Sequence, residues 1–163
     1  MDDSERVLRD LLLQRLRGRG AHMPFEEAVK DFPMAAINAR FPNGTYSSWG
    51  LLEHIRLTQL DILDYVRDPD YAHKQWPKDY WPDESKQATP AVWDATIAAF
   101  LADRLELEKL VQDPETNLYA KIPWGGDHTI LREILIVSDH NAYHLGEFAI
   151  VRQVMGTWGN REG

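Results

Sequence analysis

Three observations predict an all-α protein, a four-helix bundle, from this 163-residue sequence. Four segments carry apolar residues at helical spacing, helix start and stop signals bracket them, and no segment alternates at period two for long enough to make a strand. A chain of this length is expected to form one domain, spanning 1–163, with a real core.

The first helix is expected from about Ser4 to Arg17, with Ser4 as N-cap, Val7, Leu8, Leu11, Leu12 and Leu16 on its inner face, and Gly18-Arg19-Gly20 as its stop. A shorter helical piece, Phe25 to Phe32, lies between Pro24 and Pro33, and Pro42-Asn43-Gly44 marks a turn. The second main helix begins near Ser47-Ser48 and runs to about Arg67, where Asp68-Pro69 ends it. The third starts at Thr89-Pro90, an N-cap followed by proline at the first helical position, and closes at Asp113-Pro114. Trp93, Ile97, Phe100, Leu107 and Val111 point it inward. The fourth starts between Asp127 and Thr129 and ends near Gly156, with a core stripe of Ile130, Ile134, Val137, Asn141, Leu145, Phe148 and Met155. Between the second and third helices lies a long connection, about Asp68 to Ala88, whose Trp76, Tyr80, Trp81 and two prolines argue for packing against the bundle. Such a length lets those two helices run parallel, as a short loop could not.

Composition narrows the function. Hydrophobic residues at 44% and charged residues at 27% belong to an ordinary globular protein, and a net charge of −8 argues against a nucleic-acid partner, whose phosphates demand a basic surface. No stretch approaches the ~20 apolar residues of a membrane span. The acidic start, Met1 to Glu5, leads into an amphipathic pattern unlike a signal peptide, so the expected location is cytoplasmic. Cysteine is absent, which excludes disulfides, thiolate metal sites and cysteine nucleophiles. Any metal must be held by imidazole, carboxylate or water.

The pair that carries chemistry is His140 and His144. Four residues apart on a helix, they stand one above the other and can converge on one ion. His54, on the second helix, is the candidate third ligand, and the wheel sets all three at the border between core and solvent. Three neutral imidazoles suit zinc, nickel or iron. The competing reading makes these histidines hydrogen-bonded packing residues. Glu147, one turn beyond His144, and Asp61, two turns beyond His54, are candidates for orienting a ligating ring or acting as a general base. Glu53 is expected to face outward. His22, His73 and His128 are read as surface or packing residues, although His22 is within the set that could reach the site. Trp76, Trp81 and Trp124 are read as lids on the core. A zincin is excluded because Asn141, not glutamate, follows the first histidine. A ferritin-like di-iron site is excluded because Leu51, Val137 and Asn141 stand three before the histidines. Neither a glycine-rich phosphate loop nor a Gly-x-Ser-x-Gly elbow occurs.

The run Ser47-Ser-Trp-Gly-Leu-Leu-Glu-His54, the Trp-Pro-containing connection, and Asp139-His-Asn-Ala-Tyr-His-Leu-Gly-Glu147 followed by Arg152 and Gly156-Thr-Trp158 resemble the DinB-like superfamily. The resemblance covers nearly the whole chain. It implies an up-down-down-up bundle, a divalent metal ion on His54, His140 and His144, and a homodimer. It further implies a metal-dependent transferase acting with a low-molecular-weight thiol such as mycothiol, bacillithiol or glutathione on a small-molecule substrate. The alternatives are a metal-dependent hydrolase and a non-catalytic dimeric stress-response module.

Overall fold

The computed structural model describes residues 1–83 and 85–159. Five α-helices and one short 3-10 turn (Met34–Ala36) account for its regular structure, with no strand among the described residues. The helices are α1 (Asp3–Leu16), α2 (Phe25–Val29), α3 (Ser48–Arg67), α4 (Pro90–Gln112) and α5 (Ile130–Val154). Three of the four long helices begin on a hydroxyl that satisfies an otherwise orphaned N–H: Ser47 accepts from Gly50, Thr89 from Val92 and Thr129 from Arg132. Helix α1 is capped two residues earlier than expected. Asp2, not Ser4, accepts from the Glu5 N–H at 2.8 Å, and its carboxylate also suits the positive end of the helix dipole. Asp68 and Asp113, each preceding a proline, are extended and stop α3 and α4. Helix α5 ends on Gly156 at φ +63°, with Thr157 N–H bonding Arg152 O at 2.9 Å and Gly156 N–H bonding Gln153 O at 3.2 Å.

Helix α3 packs on α4 and α5, and α1 packs on the same two helices. Along α3 and α4, Trp49 meets Thr96 and Gln59 meets the Phe100 carbonyl. Along α3 and α5, Ser48 meets Met155 and Gln59 meets Asn141. The apolar core falls into two clusters. One gathers Phe25, Phe32, Trp49, Leu52, Ile55, Trp93, Phe100, Leu145 and Phe148; the other gathers Leu12, Leu16, Ile62, Leu63, Leu107, Val111, Ile134 and Val137. The stretches of α3 and α5 between them carry buried polar groups: Thr58 and Gln59 on one helix, Ser138 and Asn141 on the other.

The inner face of α1 differs from expectation. Val7 and Leu11 are about half exposed, whereas Arg9 is buried. Its guanidinium donates to the carbonyls of Val111, Asp113 and Thr116 at 2.7–2.9 Å, so it closes the C-terminal end of α4. Apolar pattern alone does not reveal a buried cation that finds its acceptors a hundred residues away. Glu53 also turns inward, accepting from Thr96 Oγ1 at 3.1 Å while paired with Arg56.

The connection after α3 is fastened at two points. Asp61 accepts hydrogen bonds from the hydroxyls of Tyr71 (2.9 Å) and Tyr80 (2.6 Å) and pairs with Lys74 at 3.4 Å. Farther on, the Asn38 side chain bonds both the N–H and the carbonyl of Ala88 at 2.8 Å.

Candidate metal centre

Antiparallel packing of α3 on α5 brings His54 against the His140–His144 ladder. His54 Nε2 lies 3.2 Å from His144 Nε2 and 3.2 Å from His140 Nε2. Among the described residues, these three form the one cluster with ligand atoms close enough for a shared ion, all within 4.8 Å of one another. Two nitrogens on a tetrahedral ion, each at the usual metal–nitrogen distance, stand about 3.3 Å apart, which the observed spacing matches.

The remaining ring nitrogens show which way the lone pairs face. His54 Nδ1 is 2.8 Å from the carbonyl oxygen of Tyr80, a group that only accepts, so Nδ1 carries the proton and Nε2 presents a lone pair. His144 Nδ1 is 2.7 Å from a Glu147 carboxylate oxygen and is fixed in the same way. Two lone pairs therefore face each other at 3.2 Å, an arrangement that a cation between them would relieve. His140 Nδ1 is buried with no hydrogen-bond partner. Burial and the neighbouring imidazoles push both His140 and His144 down to about 4, and burial also lowers His54, partly offset by the Tyr80 carbonyl. All three are neutral at pH 7, the state a metal requires. The donor set thus fits a divalent ion.

His54 sits deeper than the border position expected for it, at only 2% exposure. The residues that cover it come from the connection. The Trp81 indole lies flat on the imidazole, with centroids 4.0 Å apart and planes 1° from parallel, and Tyr46 stacks on the indole's other side at 4.9 Å. Trp81 acts as the lid that sequence suggested, whereas Trp76 is 69% exposed and meets His54 in a T-shaped pair with centroids 6.2 Å apart, and Trp124 donates to the Tyr65 carbonyl. The half-buried His140 and His144 lie nearer the surface, where His140 lines a groove of about 570 Å³ with Arg15, Leu135, Ile136, Asp139 and Tyr143. Asp61 is bonded to Tyr71, Tyr80 and Lys74 rather than to an imidazole. Its connection to the site is indirect, since the tyrosine it holds supplies the carbonyl on His54. Glu147 touches His144, and burial raises its pKa. The other histidines lie elsewhere: His22 against the Met23 carbonyl, His128 on the Tyr65 hydroxyl, His73 edge-on to Tyr71. Sequence reasoning missed the Tyr80 carbonyl, because a main-chain acceptor leaves no signature in residue type.

Asp61→Asn is expected to free this connection. An amide offers one acceptor where the carboxylate serves two phenols and an ammonium, and a buried group left unpaired costs about 1–3 kcal/mol. Limited proteolysis between residues 68 and 88 should accelerate and tryptophan emission should shift to the red; unchanged cleavage would show that Asp61 does not fasten the segment.

The sequence model of the DinB superfamily matches residues 12–148. No curated protein and no solved structure matches the chain.

Proposed function

The chain belongs to the DinB superfamily, and on that footing we propose that it is a divalent-metal protein acting as a transferase with a low-molecular-weight thiol on a small-molecule substrate. The observation that carries the metal is the convergence of three neutral imidazoles, at least two of them held with their lone pairs toward a common point. Zinc, nickel or iron would be held by His54, His140 and His144, and when bound would supply Lewis acidity that lowers the pKa of a thiol. The thiol reading draws support from composition: with no cysteine, any thiolate nucleophile comes from outside the chain.

The protein's own groups position the ligands. Glu147 holds the proton on His144 Nδ1, and Asp61, by fastening Tyr80, keeps a carbonyl against His54 Nδ1. Trp81, itself stacked on Tyr46, covers one face of the His54 ring. The helix pairings, with α3 and α4 meeting in ascending order and α3 and α5 in opposed order, support an up-down-down-up bundle. A homodimer in the cytoplasm is part of the same reading. Exposed apolar side chains on α1 and α5, among them Val7, Leu11, Tyr143 and Ile150, support a second copy as partner. No helix among the described residues is long and apolar enough to cross a membrane.

Calorimetric titration of the metal-loaded protein with glutathione, mycothiol and bacillithiol tests the transferase reading. Binding of one thiol is expected, with loss after chelation and in His144→Ala. A metal-loaded protein with no affinity for any thiol would leave a metal-binding module without this chemistry, and thiol transfer that survives loss of metal in His144→Ala would reject the mechanism.

A further inference from the structure

His54 and His144 each have an acceptor for the nitrogen that faces away from the site, whereas His140 has none within bonding distance. Its neighbour Asn141 has the complementary vacancy. Asn141 is buried, and its Oδ1 is a buried acceptor without a donor. The orientation of that amide is set from outside the site. Gln59 Nε2 donates to the Phe100 carbonyl at 2.7 Å, and a carbonyl can only accept, so Gln59 must turn its oxygen toward α5. That oxygen takes the Asn141 Nδ2 proton at 3.0 Å, which leaves Asn141 Oδ1 as the free end. The chain of amides thus has a polarity, anchored on the main chain of α4, and it ends on a free, buried acceptor in the residue that follows His140.

Resting on the metal reading above, we propose that Gln59 and Asn141 are positioning residues for the ion: the oriented Asn141 Oδ1 accepts the Nδ1 proton of His140 and commits its Nε2 lone pair to the site. Each imidazole then has its own acceptor, a carbonyl, a carboxylate and an amide. A ring without one could carry its proton on Nε2 and be lost as a ligand. Thr58 Oγ1 is the other buried atom near this layer without a partner. A hydroxyl both donates and accepts, so it rotates to suit either tautomer and selects neither.

The test uses the intact chain and zinc. In the zinc-loaded wild type, the His140 Nδ1 proton is expected in the NMR spectrum and protected from solvent exchange. By chelator competition, Asn141→Leu is expected to bind zinc about 10–100-fold more weakly. Gln59→Leu, which keeps the acceptor and removes its anchor, should weaken binding by a smaller factor, and Thr58→Val should leave it unchanged. A solvent-exchanging His140 Nδ1 proton, wild-type affinity in Asn141→Leu, or a loss confined to Thr58→Val would overturn the assignment. Should Asn141→Leu fail to fold, the wild-type spectrum and Gln59→Leu decide. A wild type that binds no ion would remove the metal reading itself, before any variant is compared.

Discussion

Protein purified without a metal-affinity tag is expected to carry about one equivalent of zinc, nickel or iron, and the His54→Ala/His140→Ala/His144→Ala triple variant none. The size of the effect follows from mass action. A ligand that binds only the folded chain, at a free concentration a hundred times its dissociation constant, stabilises it by about 2.7 kcal/mol. For a chain of this length that raises Tm by roughly 5–10 °C, and chelation should reverse it. The metal-free protein should also be acid-sensitive in a defined window. His140 and His144 sit at about 4 when folded, against 6.5 for an unperturbed imidazole. Above pH 6.5 both states leave them neutral and they contribute no pH dependence. As pH falls from 6.5 toward 4, the unfolded chain takes up protons that the folded chain refuses, so stability is lost across that interval. Each pKa unit is worth about 1.4 kcal/mol before solvent screening, which makes the pair a matter of a few kcal/mol. Melting curves between pH 4 and 8 check this, and the triple variant should lack that part of the slope. Bound metal should stay in place below pH 6, where ordinary histidines would already be charging. No metal after loading with each ion would make the three histidines packing residues and remove the functional proposal with them.

The parts of this molecule legible from sequence are those set by near neighbours. Ser47, Thr89-Pro90 and Thr129 fix helix starts through bonds three residues long, and Asp68-Pro69 and Asp113-Pro114 fix stops through local sterics. The His140–His144 ladder is legible for the same reason, because helical spacing alone stacks the pair. What stayed hidden depends on groups far apart in the chain. The burial of His54 comes from Trp81 and the Tyr80 carbonyl, and no property of residues 48–67 predicts which segment will cover them. Arg9, in a stripe read as leucine and valine, is buried because three carbonyls beyond α4 await it. Ser4 is as good a cap by type as Asp2, and the choice between them turned on where the helix could begin. Gln59 and Asn141 look like polar intrusions on core faces until both helices are in place.

Arg152→Met is expected to be the most destabilising single change outside the metal centre. Arg152 is 1% exposed, and its guanidinium donates to the carbonyls of Ala28 (2.7 Å), Lys30 (2.8 Å) and Thr157 (2.7 Å). It also lies over the Trp158 ring at 3.9 Å and the Phe32 ring at 5.2 Å. One side chain thus closes the end of α2, the turn after α5 and the segment that follows. Methionine keeps much of the apolar stem but supplies no donor, which strands three carbonyls that have little water to turn to. Removing the charge recovers its desolvation penalty, yet the stranded acceptors remain, and losing one member of such a buried arrangement costs about 3–5 kcal/mol. A fall in Tm of roughly 10 °C follows for a chain of this size. Arg152→Lys should fall between the two, since an ammonium keeps the charge but not the planar fork that reaches separate acceptors at once. The histidines lie in another part of α5, so metal stoichiometry measured below the new Tm should be unchanged. Denaturant unfolding of the three proteins decides it: a methionine variant as stable as wild type would mean that the carbonyls find other donors and that Arg152 does not hold the end of the fold together.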